Sequence, residues 1–455
     1  MPNRPSVVTL SRNSVDILNA IRNGASANYR DYVPEADGSL DSLRAIGDIV
    51  MNYPALQNEF LGALVNRIGR VLITSRMYSN PWNRLKKGTL EFGETVEEVF
   101  VNIIKPFQYD PSIAENKIFA REIPDVRAAF HIMNYQKFYK ATIQQFQLKQ
   151  AFLSWNGIYD LIAKIVDSMY TSANYDEFLT MKYVIAKQLL GGRLYPVTIP
   201  EVTKANMHEI ASEIKGISND FEFMKTKYNQ AGVATYSDKS RQFLIVNSKF
   251  DAVMDVNVLA SAFNMDKAEF MGKKILVDSF GDLDMPRLRE LLGKDDTFVD
   301  FTDEELEALD TIPAIIVDED WFMIFDNLYQ FTENFNGEGM YWNYWYHVWK
   351  TFSVSPFANN AAFIPAIPSV ESVTINPDTV TTSAGSAVGL VATVVTENFA
   401  PQTVNWSITE VEGVSIDNMG VVSIGADVPS STEITVTATS TFDDTKSGTA
   451  TITVS

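Results

Sequence analysis

No cysteine occurs anywhere in the 455 residues. Disulfide staples, thiolate nucleophiles and cysteine-based zinc or iron–sulfur sites are therefore excluded together. Histidine is nearly as scarce. His131, His208 and His347 stand far apart and form no HExxH or other metal-spaced pair, so each is expected to be a surface or packed residue rather than a ligand. No apolar run reaches the length of a membrane helix, and the opening MPNRPSVVTLSRNSVDIL carries arginines but no apolar core of the signal-peptide kind. The expectation is an unsecreted chain with no membrane span. Basic residues are the minority charge, 37 Lys and Arg against 57 Asp and Glu, for a net charge of −20. A surface of that sign repels polyanions, which argues against a reader of nucleic acid sequence.

Reactive motifs are missing too. There is no GxxxxGK[ST] loop, and FNGEGMY offers Gly337 and Gly339 without the third glycine of a dinucleotide fingerprint. The acidic groups Asp295-Asp296 and Asp318-Glu319-Asp320 lack metal-site spacing; neighbours in a strand point to opposite faces, and acidic runs are usually solvated. Asn405-Trp406-Ser407 fits the glycosylation triplet, but an unsecreted chain does not meet that machinery. No residue receives a catalytic, cofactor-binding or metal-binding role, no cofactor is implied, and an enzyme reading has no residues to carry it.

What the chain has is apolar and aromatic mass, 46% hydrophobic residues and 12% aromatic, enough for a sizeable core. The rings concentrate in GMYWNYWYHVWK. One phase of this stretch reads Met340, Trp342, Tyr344, Tyr346, Val348, Phe352 and Val354, interrupted only by Lys350; the other mixes Tyr341, Trp345, His347 and Trp349 with Asn343, Thr351 and Ser353. That is a long strand with one buried face and one partly covered face. A sugar-stacking platform, a membrane-interface belt or a cofactor box are the sharper alternatives, since Tyr and Trp carry polar handles.

The composition shifts at FIPAIPSV, where prolines bracket a linker. Residues 366–455 are rich in Thr, Ser and Val in short alternating runs such as EITVTATS, and carry ten acids against the single base Lys446. They read as a small all-β sandwich. The preceding part mixes α and β. Phe146, Ile158, Ile162, Ile165, Val166 and Met169 mark a helical face within 142–170, and YDEFLTMKYVIAKQLLGG is a helix stopped by Gly191 and Gly192. An extended two-stranded excursion is expected over 72–110, with Arg84, Lys86 and Lys87 at a solvated tip or poised for an interchain salt bridge. Residues 201–312 form a further mixed region, in which Thr302 and Glu305 fit a capping box.

Several segments together carry a family resemblance: IIVDEDWFMIFDNLYQ, GMYWNYWYHVWKTFSVSPFANNAAF, DVNVLASAFNM, VPEAD, LVNRIGR, NPWNRLKKG, YDPSIAENKIFAREIPDVRAAFH and AFLSWN. They resemble the major head protein of the phi29-like small tailed phages. Residues 366–455 are similar to bacterial immunoglobulin-like group 2 domains, through Pro377, Trp406, Gly420 and the closing TVTATS and TITVS strands. The resemblance implies an α+β capsid domain of the Hong Kong 97 type over 1–365. Its extended loop would be 72–110, its spine helix region 142–190, its axial domain 195–312 and its peripheral-domain strands 313–365. An immunoglobulin-like sandwich over 366–455 would follow. It further implies a non-enzymatic virion protein, assembled in the bacterial cytoplasm into hexamers and pentamers of an icosahedral or prolate head. Scaffolding and portal proteins would be its partners, and the shell would enclose double-stranded DNA without reading its sequence. The length of 281–312 exceeds what the family pattern leads one to expect. The alternative is a tail or surface adhesin that binds host glycan through the immunoglobulin-like domain.

Overall fold

A computed structural model describes residues 7–71, 78–91, 95–109, 123–153, 157–253, 273–295 and 297–455. The motif DVNVLASAFNM falls outside the described residues, as do parts of YDPSIAENKIFAREIPDVRAAFH and AFLSWN. The chain divides into two compact units: residues 1–95, 132–180 and 324–352 form one, and 96–131, 181–323 and 353–455 the other.

The first unit opens with four helices, Val7–Gly24, Ala27–Tyr32, Leu40–Asn52 and Pro54–Val71. Ser26 and Ser39 begin the second and third by accepting from the backbone N–H of Tyr29 and Ser42, which satisfies donors that an uncapped helix end leaves orphaned. Leu43, Ile46 and Val50, spaced by three and four, make the buried stripe of the third. The sheet of this unit runs Gly88–Thr89, Phe322–Asn336, Tyr341–Val354, Tyr135–Gln144. Its last pair is antiparallel, with Trp342 opposite Ile143 and Tyr346 opposite Tyr139. Residues 142–144 are thus strand and not helix, because their alternating burial continues the Tyr135 ladder. The helical run expected over 142–170 is instead two helices, Gln145–Ala151 and a second that begins at Gly157 and continues through the other expected helix to Leu190, 34 residues in all. Ile165 and Met169 on it are buried; the side chains of Phe146, Ile158, Ile162 and Val166 lie outside the described residues.

In the second unit Gly192 ends that helix with φ +58, a left-handed conformation that glycine adopts without a Cβ penalty. A five-stranded mixed sheet follows in the order Tyr195–Thr198, Asn360–Ile364, Ala314–Asp318, Gln242–Asn247, Lys274–Val277. Strands 314–318 and 360–364 therefore leave the 313–365 group expected for the aromatic sheet and join the 195–312 region. Both are buried at every position, as central strands covered on both faces must be. Helix Met207–Asp220 lays Ile210, Ala211 and Ile214 on this sheet beside Leu244, Ile316 and Phe363. The 281–312 segment is packed structure: helix Met285–Leu292, then helix Asp303–Asp310 with the expected Thr302–Glu305 capping box. Phe298 and Phe301 between them stack on Tyr183 at 5.4 and 5.2 Å.

Residues 369–454 hold nine strands in three sheets around one apolar core that includes Val373, Val422, Ile434, Val436 and Ile452. Two of the residues expected to characterise this region, Trp406 and Gly420, meet in space. Gly420 has φ +82, and a Cβ there would lie 2.7 Å from the ring of Trp406, so only glycine lets the indole close over the turn.

Candidate functional site

Two places in the fold combine chemistry with exposure or with buried charge. The first begins at the one break in the ring-bearing phase of Tyr341–Val354. Trp342, Tyr344, Tyr346, Val348 and Lys350 are all buried, in strict alternation with half-buried neighbours. Tyr346 stacks between Tyr170 of the long helix, 4.4 Å away, and Phe331 of the adjacent strand, 4.6 Å away. Where the next ring would stand, Lys350 is only 1% exposed. Its ammonium donates to Glu177 of the long helix, to Asp326 at 2.8 Å and to the Tyr329 hydroxyl at 2.7 Å.

A second ammonium completes the cluster. Lys86 lies 2.8 Å from Asp326 and 3.3 Å from Glu177, while the Asn80 side-chain amide donates to Glu177 at 2.7 Å. Two lysines and two carboxylates thus neutralise one another out of water, the condition under which buried ions persist. Burial works against the charge on Asp326, but Lys350 and Lys86 outweigh it and hold the carboxyl below its usual range. Burial likewise opposes the Lys86 charge, and Glu177 and Asp326 outweigh it in the other direction. The Tyr329 side chain is partly exposed, but desolvation at its hydroxyl and the same carboxylates push the phenol far up, and it stays neutral. Lys86 is accordingly not at a solvated tip: the NPWNRLKKG segment is pinned from Asn80 to Lys86, and Trp82 within it is fully buried against Phe178. Glu177, Asp326 and Asn80 were not singled out by sequence reasoning. The available signal was Lys350 itself, a charge in the middle of a buried phase.

The second place is the hairpin of Val96–Val101 and Val126–His131, antiparallel with Val99 opposite Ala128 and Val101 opposite Val126. The two strands within the excursion expected over 72–110 thus do not pair with each other: Gly88–Thr89 joins the aromatic sheet, and the partner of Val96–Val101 lies beyond residue 110. The face made by Glu97, Val99, Val101, Val126, Ala128 and Phe130 is exposed, with Phe130 at 64%. The opposite face is covered and holds the polar groups. His131, 2% exposed, bonds Ser353 at 2.8 Å and Glu98 at 3.2 Å, and Ser355 donates to Glu98 at 2.7 Å. Phe100 stacks on Phe357 at 5.5 Å. An element with its apolar face outward is built for contact with another molecule. Ile103, Ile104 and Phe107, which follow the first strand, are also more than half exposed.

The remaining candidates resolve into structure. Among the described residues no group of His, Asp and Glu is placed to hold a metal ion. Asp318 and Asp320 bind Arg241, and Asp318 caps the short turn Glu319–Trp321; Asp296 lies outside the described residues. His347 meets Thr332 at 3.2 Å.

Comparison with known proteins agrees with a contact-making chain. Residues 18–364 match the model of the phi29-like phage major capsid protein family. The chain is 34% identical over 433 residues to the major capsid protein of Bacillus phage B103, covering 94% of this chain and 90% of that one. It is 33% identical to that of Bacillus phage PZA, with the same coverages. The B103 match is too long to stop at residue 364 and takes in more than half of the C-terminal strands. In structure, a chain from the capsid of Staphylococcus phage Andhra superposes with a TM-score of 0.50 at 16% identity, over 65% of this chain and 86% of that one. These matches favour a shell subunit over an adhesin. The chain belongs to the phi29-like phage major capsid protein family, and its function is that of the major capsid protein of a tailed phage.

Proposed function

We propose that the chain builds its shell through a Hong Kong 97-type body, with the paired strands Val96–Val101 and Val126–His131 in the extended loop that a neighbouring copy covers. Helix Gly157–Leu190 is the spine of the peripheral domain, and the sheet containing Tyr341–Val354 packs beneath it. The five-stranded sheet with its flanking helices, residues 195–318 together with 360–364, is the axial domain. Residues 366–455 are an immunoglobulin-like group 2 domain. Copies assemble as hexamers and pentamers in the bacterial cytoplasm, with a scaffolding protein and with a portal at one vertex, into an icosahedral or prolate head around double-stranded DNA. The role is structural, without catalysis. Repeated modest interfaces that close by symmetry suffice for a shell, and a chain of net charge −20 makes a wall to which phosphates do not adhere.

The observation that carries this reading is the hairpin that turns His131 and Glu98 inward and leaves Val99, Val101, Val126 and Phe130 to water. Burying that face against a neighbour would yield stabilisation at roughly 25 cal/mol per Å² of apolar surface, repeated at every contact in the shell. The test is electron microscopy of the full chain co-expressed with its scaffolding protein. Wild type should give closed shells, and Val99→Lys with Phe130→Lys should give folded subunits that do not close. Normal shells from the double variant would remove the hairpin from the assembly surface.

A further inference from the structure

A cleft of about 770 Å³ opens between the start of the five-stranded sheet, residues 192–195 and 226–232, and the C-terminal strands around 390–406 and 418–419. Its size is that of a small-molecule site. The two walls meet at Gly192, where a Cβ would overlap the carbonyl of Ala400 and lie 3.1 Å from Pro401 Cα. The two walls are thus in close contact beside the cleft.

Its lining has an unusual charge for this chain. Where acids outnumber bases 57 to 37, a water-filled seam should carry carboxylates. This one carries Arg127, Arg193 and Lys227 and no Asp or Glu. Arg193 is exposed and has no ion pair among the described residues. Nearby, burial and then Arg193 itself hold the Lys187 ammonium below its ordinary value, a sign of local positive potential. Lys227 stands 4.6 Å over the Tyr228 ring and 5.2 Å from that of Tyr195, and its link to Asp220 is long, 3.7 Å. Arg127 is the most engaged of the three, held by Asp125 at 3.1 Å and by the Ala231 carbonyl.

Around these cations stand exposed amides, Gln230, Asn405 and Asn418, and the half-buried ring of Trp406. Guanidinium and ammonium groups recognise carboxylates and phosphates by charge-assisted hydrogen bonds. Amides pair with hydroxyls, and an indole offers an apolar plate with a polar edge. A polyhydroxylated ligand with acidic groups matches all three chemistries.

From this we infer that the cleft between residues 192–232 and the C-terminal strands binds an anionic oligosaccharide, one bearing carboxylate or phosphodiester groups, as a second property of the shell subunit. It does not use the aromatic strand, and from the hairpin it takes only Arg127, on the face opposite to Val99 and Phe130.

The experiment is calorimetric titration of assembled shells, and of the unassembled full chain, with galacturonate oligomers, glycerol-phosphate oligomers, neutral maltose oligomers and inorganic phosphate. Binding of one acidic oligomer that weakens with salt, and about tenfold or more in Arg193→Glu and in Lys227→Glu, is the expected result. Which acidic oligomer binds identifies the anionic group. Both substitutions are on exposed side chains, so shells should form as in wild type, and micrographs of the same samples check that separately from binding. Equal affinity for maltose oligomers, displacement by inorganic phosphate at the same concentration, indifference to both substitutions, or no binding at millimolar ligand would each overturn the inference. So would binding by the unassembled chain alone, since a neighbouring copy would then fill the cleft in the shell.

Discussion

Along Tyr341–Val354 the apolar phase is buried under a helix and the mixed phase is half covered. Along Val96–Val101 and Val126–His131 the apolar phase faces water, while His131 and Glu98 are turned inward. Both elements obey the same two-residue alternation, and both are rich in residues that favour strands. The difference is what covers them. In the first, the cover belongs to the same chain: Tyr170 lies on Tyr346. In the second, no described part of the chain lies over Val99 and Phe130, and under the proposed function a neighbouring copy would supply the cover. Alternation identifies a strand and its two faces; it does not say whether the apolar face belongs to folding or to association.

The most direct way to break that comparison is one charge at each place. Tyr346→Lys puts an ammonium between stacked rings with no carboxylate added, and burial of an unpaired charge is among the costliest single changes. The subunit is expected not to fold. Phe130→Lys, on a side chain already exposed, is expected to leave the denaturation midpoint within about 0.5 kcal/mol of wild type and to stop shell closure. If Phe130→Lys unfolds the subunit as Tyr346→Lys does, the hairpin face is part of the core and the distinction fails.

Next in size is the charge that the buried phase already tolerates. Lys350→Ala leaves Glu177 and Asp326 with Lys86 alone, and breaking a buried ionic cluster from one side costs about 3 to 5 kcal/mol. Lys350→Met with Glu177→Gln removes one charge of each sign and should recover much of that loss, read by urea denaturation of unassembled subunits. No recovery would show that the Lys350 side chain matters through shape rather than charge.

The same cluster predicts a pH response that the hairpin does not share. Asp326 is depressed in the folded state, so its contribution is complete above the unfolded carboxyl value of about 4 and is lost as pH falls through the lower folded value. Lys86 is raised, so its contribution is complete below about pH 10 and is lost as pH rises through the higher folded value. Thermal melts should therefore show no contribution to the slope from these two groups between those limits. Asp326→Asn should lower the melting temperature at neutral pH and flatten the acid limb. An unchanged acid limb in that variant would place the titrating group elsewhere.

What could be read in advance follows from how local each signal is. The Thr302–Glu305 cap, the Gly191-Gly192 stop and the phase of the aromatic strand are set by neighbours within a few residues, and the structure has each of them. Lys350 was visible as an interruption, but its partners were not, because Glu177 stands 173 residues away in sequence. The hairpin was half legible: VEEVFV alternates clearly, whereas its partner VRAAFH lies beyond residues 110–122 and is selected by register rather than composition. AIIVD and NAAFI fall within the 313–365 span expected for the peripheral-domain strands, but they pair in the five-stranded sheet. Fully buried runs have no alternation, so nothing in them says which face, or which sheet, they serve. The capsid reading came from the resemblance of whole motifs, since a shell subunit has no reactive constellation to find.

The smallest effect tests the half-covered phase. Trp345 and Trp349 stand four residues apart on the same side of the strand and are only partly buried. Lys140, directly opposite Trp345 in the neighbouring strand, holds its ammonium 5.7 Å from the Trp345 ring, close enough for a cation–π contact of about 0.5 to 1 kcal/mol. An enclosed tryptophan truncated to alanine costs about 3 to 5 kcal/mol, and partial exposure should reduce this to roughly 1 to 2 kcal/mol for Trp345→Ala. Trp345→Phe keeps most of the packed area and should be close to neutral, and Lys140→Met should lose no more than the cation–π contribution. The readings are urea midpoints of unassembled subunits, with micrographs of the same variants after assembly. Were Trp345→Ala as damaging to the isolated subunit as an enclosed truncation, the mixed phase would be core within one chain. Were the subunit unaffected and only assembly impaired, Trp345 would stand with Phe130, waiting for a neighbour's surface. A loss between these limits places this face midway between the two regions, with part of its cover drawn from its own sheet.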